Sequence, residues 1–253
     1  MTKTVVSHFY NEEYLLPWWL KHHSKIFDHG IMIDYNSTDN SVAIIKELCP
    51  TWDIVTTNTS YFESSTIDRE VEEYEATLNG WRMCLNTTEF LYGNIARLDD
   101  ITGPTQLFVG NYVLLDMNNK QVFNKELPLH EQCEYGYYEN RDVTQILHTG
   151  ARSSRSLHNY PIKYEEKGGR HWHQTPNVDD IAIFYFGYAS LTPEMIDRKM
   201  QIKSKMNPEE IAKYSMHPNT LSSKQFTDNI DLYHRPRARV LTEEIKTIIG
   251  YNY

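Results

Sequence analysis

The sequence predicts an α/β fold: a single open, mostly parallel sheet flanked by helices, with a less regular C-terminal region. Three observations carry this expectation. Through about residue 92, short β-rich runs alternate with segments of helical periodicity. Beyond residue 100 only "TQLFVGNYVLL" and "VDDIAIFYFGY" read as further strands, separated by a long polar stretch from about Asn118 to Asn177. Polar residues also collect at successive strand ends, where open α/β sheets bind ligands.

The elements follow in order. "KTVVSHF" is a strand, and "EYLLPWWLKHHSKIF" places Leu15, Trp18 or Trp19, His22 and Ile26 on one helical face, with Pro17 in the first turn and Asn11 and Glu12 on the preceding loop. "HGIMIDYN" is the second strand. "STDNS" caps a helix that Pro50 ends, and "WDIVTTN" is the third strand. "SSTIDREVEEYEATLNG" lines up Ile67, Val71, Tyr74 and Leu78 before "WRMCLN" returns to a strand. Near the C-terminus, "TPEMIDRKMQIKSKM" is helical and basic on one side, followed by "PEEIAKYSMHP" and "TEEIKTIIG". The length of the polar stretch predicts an active-site lid or acceptor-binding region.

Composition narrows the function classes. The 253 residues, 40% hydrophobic and 23% charged, suit one substantial core: a single domain over 1–253, with a more regular half over 1–100 and a less regular half over 101–253. A formal charge of −9 argues against sequence-independent nucleic-acid binding. No signal-peptide pattern and no bilayer-length apolar run occur, and Cys49, Cys84 and Cys133 are widely spaced; these features predict a protein without a transmembrane segment, in the cytoplasm or at the cytosolic face of a membrane. There is no G-x-x-x-x-G-K-[ST] loop, no G-x-G-x-x-G after the first strand, and neither H-E-x-x-H nor G-x-S-x-G.

What remains is acidic and amide groups at strand ends. Asp34 can accept a hydrogen bond from a base N–H or close a local Asx turn. Glu12 suits sugar hydroxyls, while Asp39 can bind near the base or cap the helix of "STDNS".

"HFYNEEYLLPWWLKHH", "FDHGIMIDYNSTDNS" and "GWRMCLNTTEFL" together resemble the glycosyltransferase family 2-like group, especially its short members related to family 92. The resemblance is good over residues 5 to 92, with weaker echoes in "GRHWH" and "ASLTPEMIDRKMQIKSKM". It implies a GT-A-like fold and transfer of sugar from a nucleoside diphosphate sugar to a hydroxyl of a carbohydrate acceptor. On this mapping Asn11 and Glu12 belong to the donor-side loop, and Asp34 and Asp39 to the base-binding loop. Asn86, Thr88 and Glu89 overlie the family's D-x-D-E segment, which would hold Mn²⁺ or Mg²⁺.

Asn86 and Thr88 replace both aspartates of that segment, leaving either a weakly held ion, for which Glu89, Asn86 and a distant His173 are the candidate ligands, or a metal-free site completed by basic residues. Glu89 can equally join a hydrogen-bond network. The basic run containing His148, Arg152, Arg155, His158, Lys163, Arg170, His171 and His173 is either a phosphate or acceptor clamp, with Arg155 and Arg170 foremost, or a solvated lid. An inverting transfer needs a general base: Asp142 is the first candidate, then Asp179 or Asp180. Two other readings stay open, a nucleotide- or sugar-binding protein on a degenerate transferase fold and a nucleotidyltransferase.

Overall fold

The computed structural model describes residues 1–118, 121–138, 154–164, 169–170, 176–213 and 221–250. In chain order the elements are β1 (Lys3–Phe9), α1 (Leu16–His23), β2 (His29–Asp34), α2 (Ser41–Leu48), β3 (Asp53–Thr56), α3 (Ser64–Thr77), β4 (Trp81–Cys84), β5 (Glu89–Gly93), β6 (Gln106–Leu115), β7 (Tyr135–Tyr138), β8 (Ser154–His158), β9 (Ile181–Tyr185), α4 (Pro193–Gln201), α5 (Pro208–Lys213), α6 (Ser223–Asn229), β10 (Arg239–Val240) and α7 (Glu243–Gly250). Among the described residues, no helix is long and apolar enough to cross a membrane.

The expected α/β fold with an open sheet and flanking helices is present, and it is consistent with GT-A-like architecture. Its path runs β10-β7-β6-β8-β4-β1-β2-β3, so strands from residues 1–100 and from 101–253 share one sheet. β4, β1, β2 and β3 are mutually parallel, as the strand–helix alternation predicts. Beyond β4 the sheet turns mixed: β8 runs antiparallel to both β4 and β6, and β9 pairs antiparallel with β5 but parallel with β6.

Side-chain alternation divides the core between two faces. Val5, Met32, Met83, Tyr112 and Leu114 point into a cluster shared with α1, α2 and α7. Their neighbours Val6, Ile31, Ile33 and Cys84 pack against Ile67 and Val71 of α3, while Val113 and Leu115 meet Met195 and Phe226. The two faces differ in chemistry. α3 turns Asp68, Glu70, Glu72 and Glu75 inward as well, all at most 7% exposed.

β5, β7, β8, β10 and α6 were absent from the sequence reading. β7 and β8 lie inside the stretch expected to be a lid, so part of that stretch is sheet.

Along the edge that β9 leaves uncovered, β5 depends on α1 for its backbone hydrogen bonds. Trp19 Nε1 donates to the carbonyls of Asn86 (3.1 Å) and Glu89 (2.9 Å). The Leu91 N–H donates to His23 Nε2 at 3.1 Å, which leaves His23 Nδ1 to donate to the Trp19 carbonyl, and His22 Nε2 donates to the Leu91 carbonyl at 2.7 Å. Side chains thus take the place of a partner strand. Burial keeps the rings neutral, lowering His22 to about 4 and His23 well below its ordinary value.

A histidine whose folded pKa is depressed takes up its proton on unfolding, so it contributes stability above pH 6.5 that is lost as the pH falls. His22 and His130, both brought to about 4 chiefly by burial, define a window from 6.5 to about 4. Urea denaturation across this window should lose stability at roughly 1.4 kcal/mol per pH unit for each histidine. His22→Gln should flatten the slope.

Candidate functional site

The C-terminal ends of β1, β2 and β4 bring together the loops that carry Asn11, Glu12, Asp34, Asp39, Asn86, Thr88 and Glu89. Two turns there use asparagines with positive φ, Asn11 at 51° and Asn36 at 60°, a conformation that Asn tolerates better than most residues. Asp34 Oδ1 accepts from the Ser37 N–H at 2.8 Å, an Asx-type bond reaching three residues on that holds the loop after β2. Asp39 accepts from the N–H groups of Ser41 and Glu13, and so fastens the entry of α2 to the loop after β1.

α4 and the 3₁₀ turn Ile202–Lys205 form a roof over the loop after β1 that carries Asn11 and Glu12. Arg198 Nη1 donates to both carboxylate oxygens of Glu12, at 2.8 and 2.9 Å. Gln201 makes a reciprocal amide pair with Asn11, donating to its carbonyl at 3.0 Å and accepting from its Nδ2 at 3.1 Å. Asn11 Oδ1 in turn accepts from the Thr38 N–H. Lys205 Nζ lies 4.8 Å from the centre of the Tyr10 ring, and Phe62 and Met206 form a β-bridge. Lys199, partly exposed at its surface, is lowered to about 8 by desolvation, with the Arg198 charge adding and Glu12 opposing.

Arg198 is 6% exposed, and its Nε and Nη2 have no hydrogen-bond partner among the described residues. The same holds for Asn86 Oδ1, Ser7 Oγ and His8 Nδ1. An unmet buried polar group costs about 1–3 kcal/mol, so a polar group that reached the Nε–Nη2 edge of Arg198 would restore hydrogen bonds there. Arg198 was not singled out in the sequence, although four basic residues within Arg198–Lys205 were a legible signal.

Arg155 and Arg170, expected as the clamp, are buried against carboxylates. Arg155 donates from Nε and Nη2 to Glu89 at 2.9 and 2.8 Å, and both residues are almost wholly enclosed. Burial acts to lower Arg155, but the Glu89 carboxylate, aided by Cys84 and Tyr164, reverses this and holds the guanidinium above its ordinary value. Arg170 Nη1 pairs with Asp68 at 2.7 Å, and its Nη2 donates to His8 Nε2 at 3.2 Å. His8 is held well below its ordinary pKa, first by burial and then by the Arg170 and Arg155 charges, so it is a neutral acceptor. The expectation of two cations directed at a phosphate gives way to two internal ion pairs.

The metal-ligand set fares similarly. Glu89 Oε1 is occupied by Arg155, while Oε2 accepts from both Arg155 and the Asn86 N–H. With its charge neutralised and both oxygens engaged, Glu89 leaves only uncharged side-chain oxygens in the segment, Asn86 Oδ1 and the Thr87 and Thr88 hydroxyls. Hard divalent ions favour several oxygens including carboxylates, and these residues do not fit one. Among the described residues, no group of three or more His, Cys, Asp or Glu is placed to hold a metal ion.

Asp179 and Asp180 precede β9, whose far end, Tyr185, pairs with Glu89. Five and six residues of extended chain put them about 17–20 Å from Tyr185, at the opposite end of the strand. Asp180 there pairs with Arg97 and receives a hydrogen bond from Asn94. Asp142 and His173, with His148, Arg152 and His171, lie outside the described residues.

No family model matches the chain, and no curated protein matches it. Solved structures do. The Staphylococcus aureus TarS 1–349 structure in complex with UDP-GlcNAc matches 99% of this chain and 79% of its own, at 12% identity and a TM-score of 0.40. Glucosyl-3-phosphoglycerate synthase from Mycobacterium tuberculosis, in complex with Mn²⁺, UDP and glucosyl-3-phosphoglycerate, matches at 17% identity and a TM-score of 0.33; the match spans 44% of each chain. HddC from Yersinia pseudotuberculosis matches 45% of this chain and 60% of its own, at 9% identity and a TM-score of 0.32. Similarity at this level assigns neither substrate nor reaction.

Removing one member of a buried ion pair leaves an uncompensated charge. Arg155→Met should therefore destabilise the fold by about 3–5 kcal/mol, and the double variant Glu89→Met/Arg155→Met by clearly less. Urea denaturation of the wild type, both single variants and the double variant checks this.

Proposed function

We propose that this chain is a nucleotide-sugar-dependent glycosyltransferase that binds its donor at the C-terminal ends of β1, β2 and β4, beneath α4. The observation that carries the reading is the pairing of Asn11 and Glu12, on the loop after β1, with α4 and its buried, unpartnered Arg198 edge, at strand ends of the kind where open α/β sheets bind nucleotides. The resemblance of residues 5 to 92 to family 2-like transferases supports it.

On this reading Asp34 and its Asx loop receive the base, while Asn11, Glu12 and the roof enclose the sugar and diphosphate. A hydroxyl of a carbohydrate acceptor attacks the anomeric carbon. The bond to the diphosphate breaks, and its electron pair leaves on the terminal phosphate oxygen. The acceptor proton passes to a general base, for which Asp142 is proposed, and the configuration inverts. Donors aimed at the leaving oxygens stabilise charge that grows in the transition state.

Purified protein incubated with a panel of nucleotide sugars should release a nucleoside diphosphate, by transfer or slow hydrolysis. Asp142→Asn should lower kcat by about 10²–10⁴-fold with little change in nucleotide affinity. Nucleotide binding with no turnover of any donor would favour the degenerate binding protein, and release of pyrophosphate would favour a nucleotidyltransferase.

A further inference from the structure

The roof carries a charge pattern that the family resemblance does not explain. From Arg198 to Lys205 the chain has four basic residues and no acidic one, in a protein of formal charge −9. The segment is anchored where a donor diphosphate would lie: Arg198 on Glu12, Gln201 on Asn11 and Lys205 on Tyr10. Arg198 meets Glu12 through Nη1 alone. Its Nε–Nη2 edge, the two-pronged donor that matches phosphate oxygens, stays buried and unpartnered among the described residues. Meanwhile the altered D-x-D-E segment cannot supply a carboxylate to a metal, because Glu89 is committed to Arg155 and to the Asn86 N–H.

We infer that Arg198–Lys205 is an anion-binding roof whose fixed side-chain cations neutralise the donor diphosphate, so that the nucleotide binds without a divalent ion. The inference rests on the transferase reading above and deepens it. Arg198 supplies the two-pronged contact, and Lys199 and Lys205 add point charges on either side of the amide pair that holds the roof to Asn11. Because the Arg198 edge is closed to solvent, a phosphate reaches it only when the roof shifts from the donor-side loop. Glu12, released from part of its ion pair, is then available to sugar hydroxyls.

Calorimetry with UDP, GDP, CDP and ADP, each in EDTA and in millimolar Mn²⁺, tests the inference on the wild-type protein. At least one nucleotide should bind with affinities agreeing within about threefold in the two buffers. The Lys199→Gln/Lys205→Gln variant, with an unchanged melting temperature, should bind that nucleotide about tenfold or more weakly in both. Binding confined to Mn²⁺, or an undiminished affinity in the lysine variant, would overturn the inference and leave the transferase reading standing. Failure of all four nucleotides to bind in either buffer would overturn both.

Discussion

The Glu89–Arg155 ion pair is the contact on which the remainder of the structure turns. It joins the first residue of β5 to β8, at the junction between the parallel strands of the first half and the mixed strands of the second. Neither partner is affordable alone in such an enclosed place, since a bare charge there would lose its hydration without compensation. Oε2 also accepts from the Asn86 N–H, so the pair sets the turn between β4 and β5 as well as the attachment of β8. In this chain, a carboxylate at the end of the altered motif organises protein instead of metal.

A second polar layer continues behind it. Asp68, Glu72 and Glu75 of α3 hold Arg170, the Tyr164 N–H and the Tyr164 hydroxyl, so Tyr164 and Arg170 are fastened to that helix by carboxylates as well as by apolar packing. Charges satisfied in this way restrict the segment to one register, because displacement by a residue would leave several buried acids unmet. Tyr164 is held well above its ordinary pKa, first by burial and then by Glu75, so its hydroxyl remains a proton donor. The three free cysteines are buried, and burial raises Cys84 to about 12, which leaves its thiol unreactive.

The β1-to-β4 alternation was legible in the sequence because apolar periodicity and turn residues are local signals. β5 was not, because "EFLYG" follows the β4 run after only a short polar turn, and its backbone is satisfied by distant chain: β9 on one edge and His22 and His23 of α1, some seventy residues away, on the other. Helical spacing found Ile67 and Val71 on α3 but missed Asp68, Glu72 and Glu75, which recur at equally suitable intervals for an inward face. Acidic side chains read as solvent-exposed until their partners are known, and those partners lie roughly ninety to a hundred residues further along the chain. The polar loops at the strand ends were legible for the same reason as the strands. The commitments of Arg155 and Arg170, and the roof formed by Arg198, depend on long-range pairing that no local pattern expresses.

β8 lies between β4 and β6, yet roughly seventy residues of chain separate Met83 from its partner Leu157. During synthesis, the β1–β4 unit therefore emerges with one margin of its sheet uncovered, and β8 becomes available only after much more chain has been made. Closing so long a loop is slow, and an unpaired strand margin can template pairing with another molecule. The interval before β8 arrives is thus when a nascent chain is most exposed to misassembly, and chaperone binding would be most useful there.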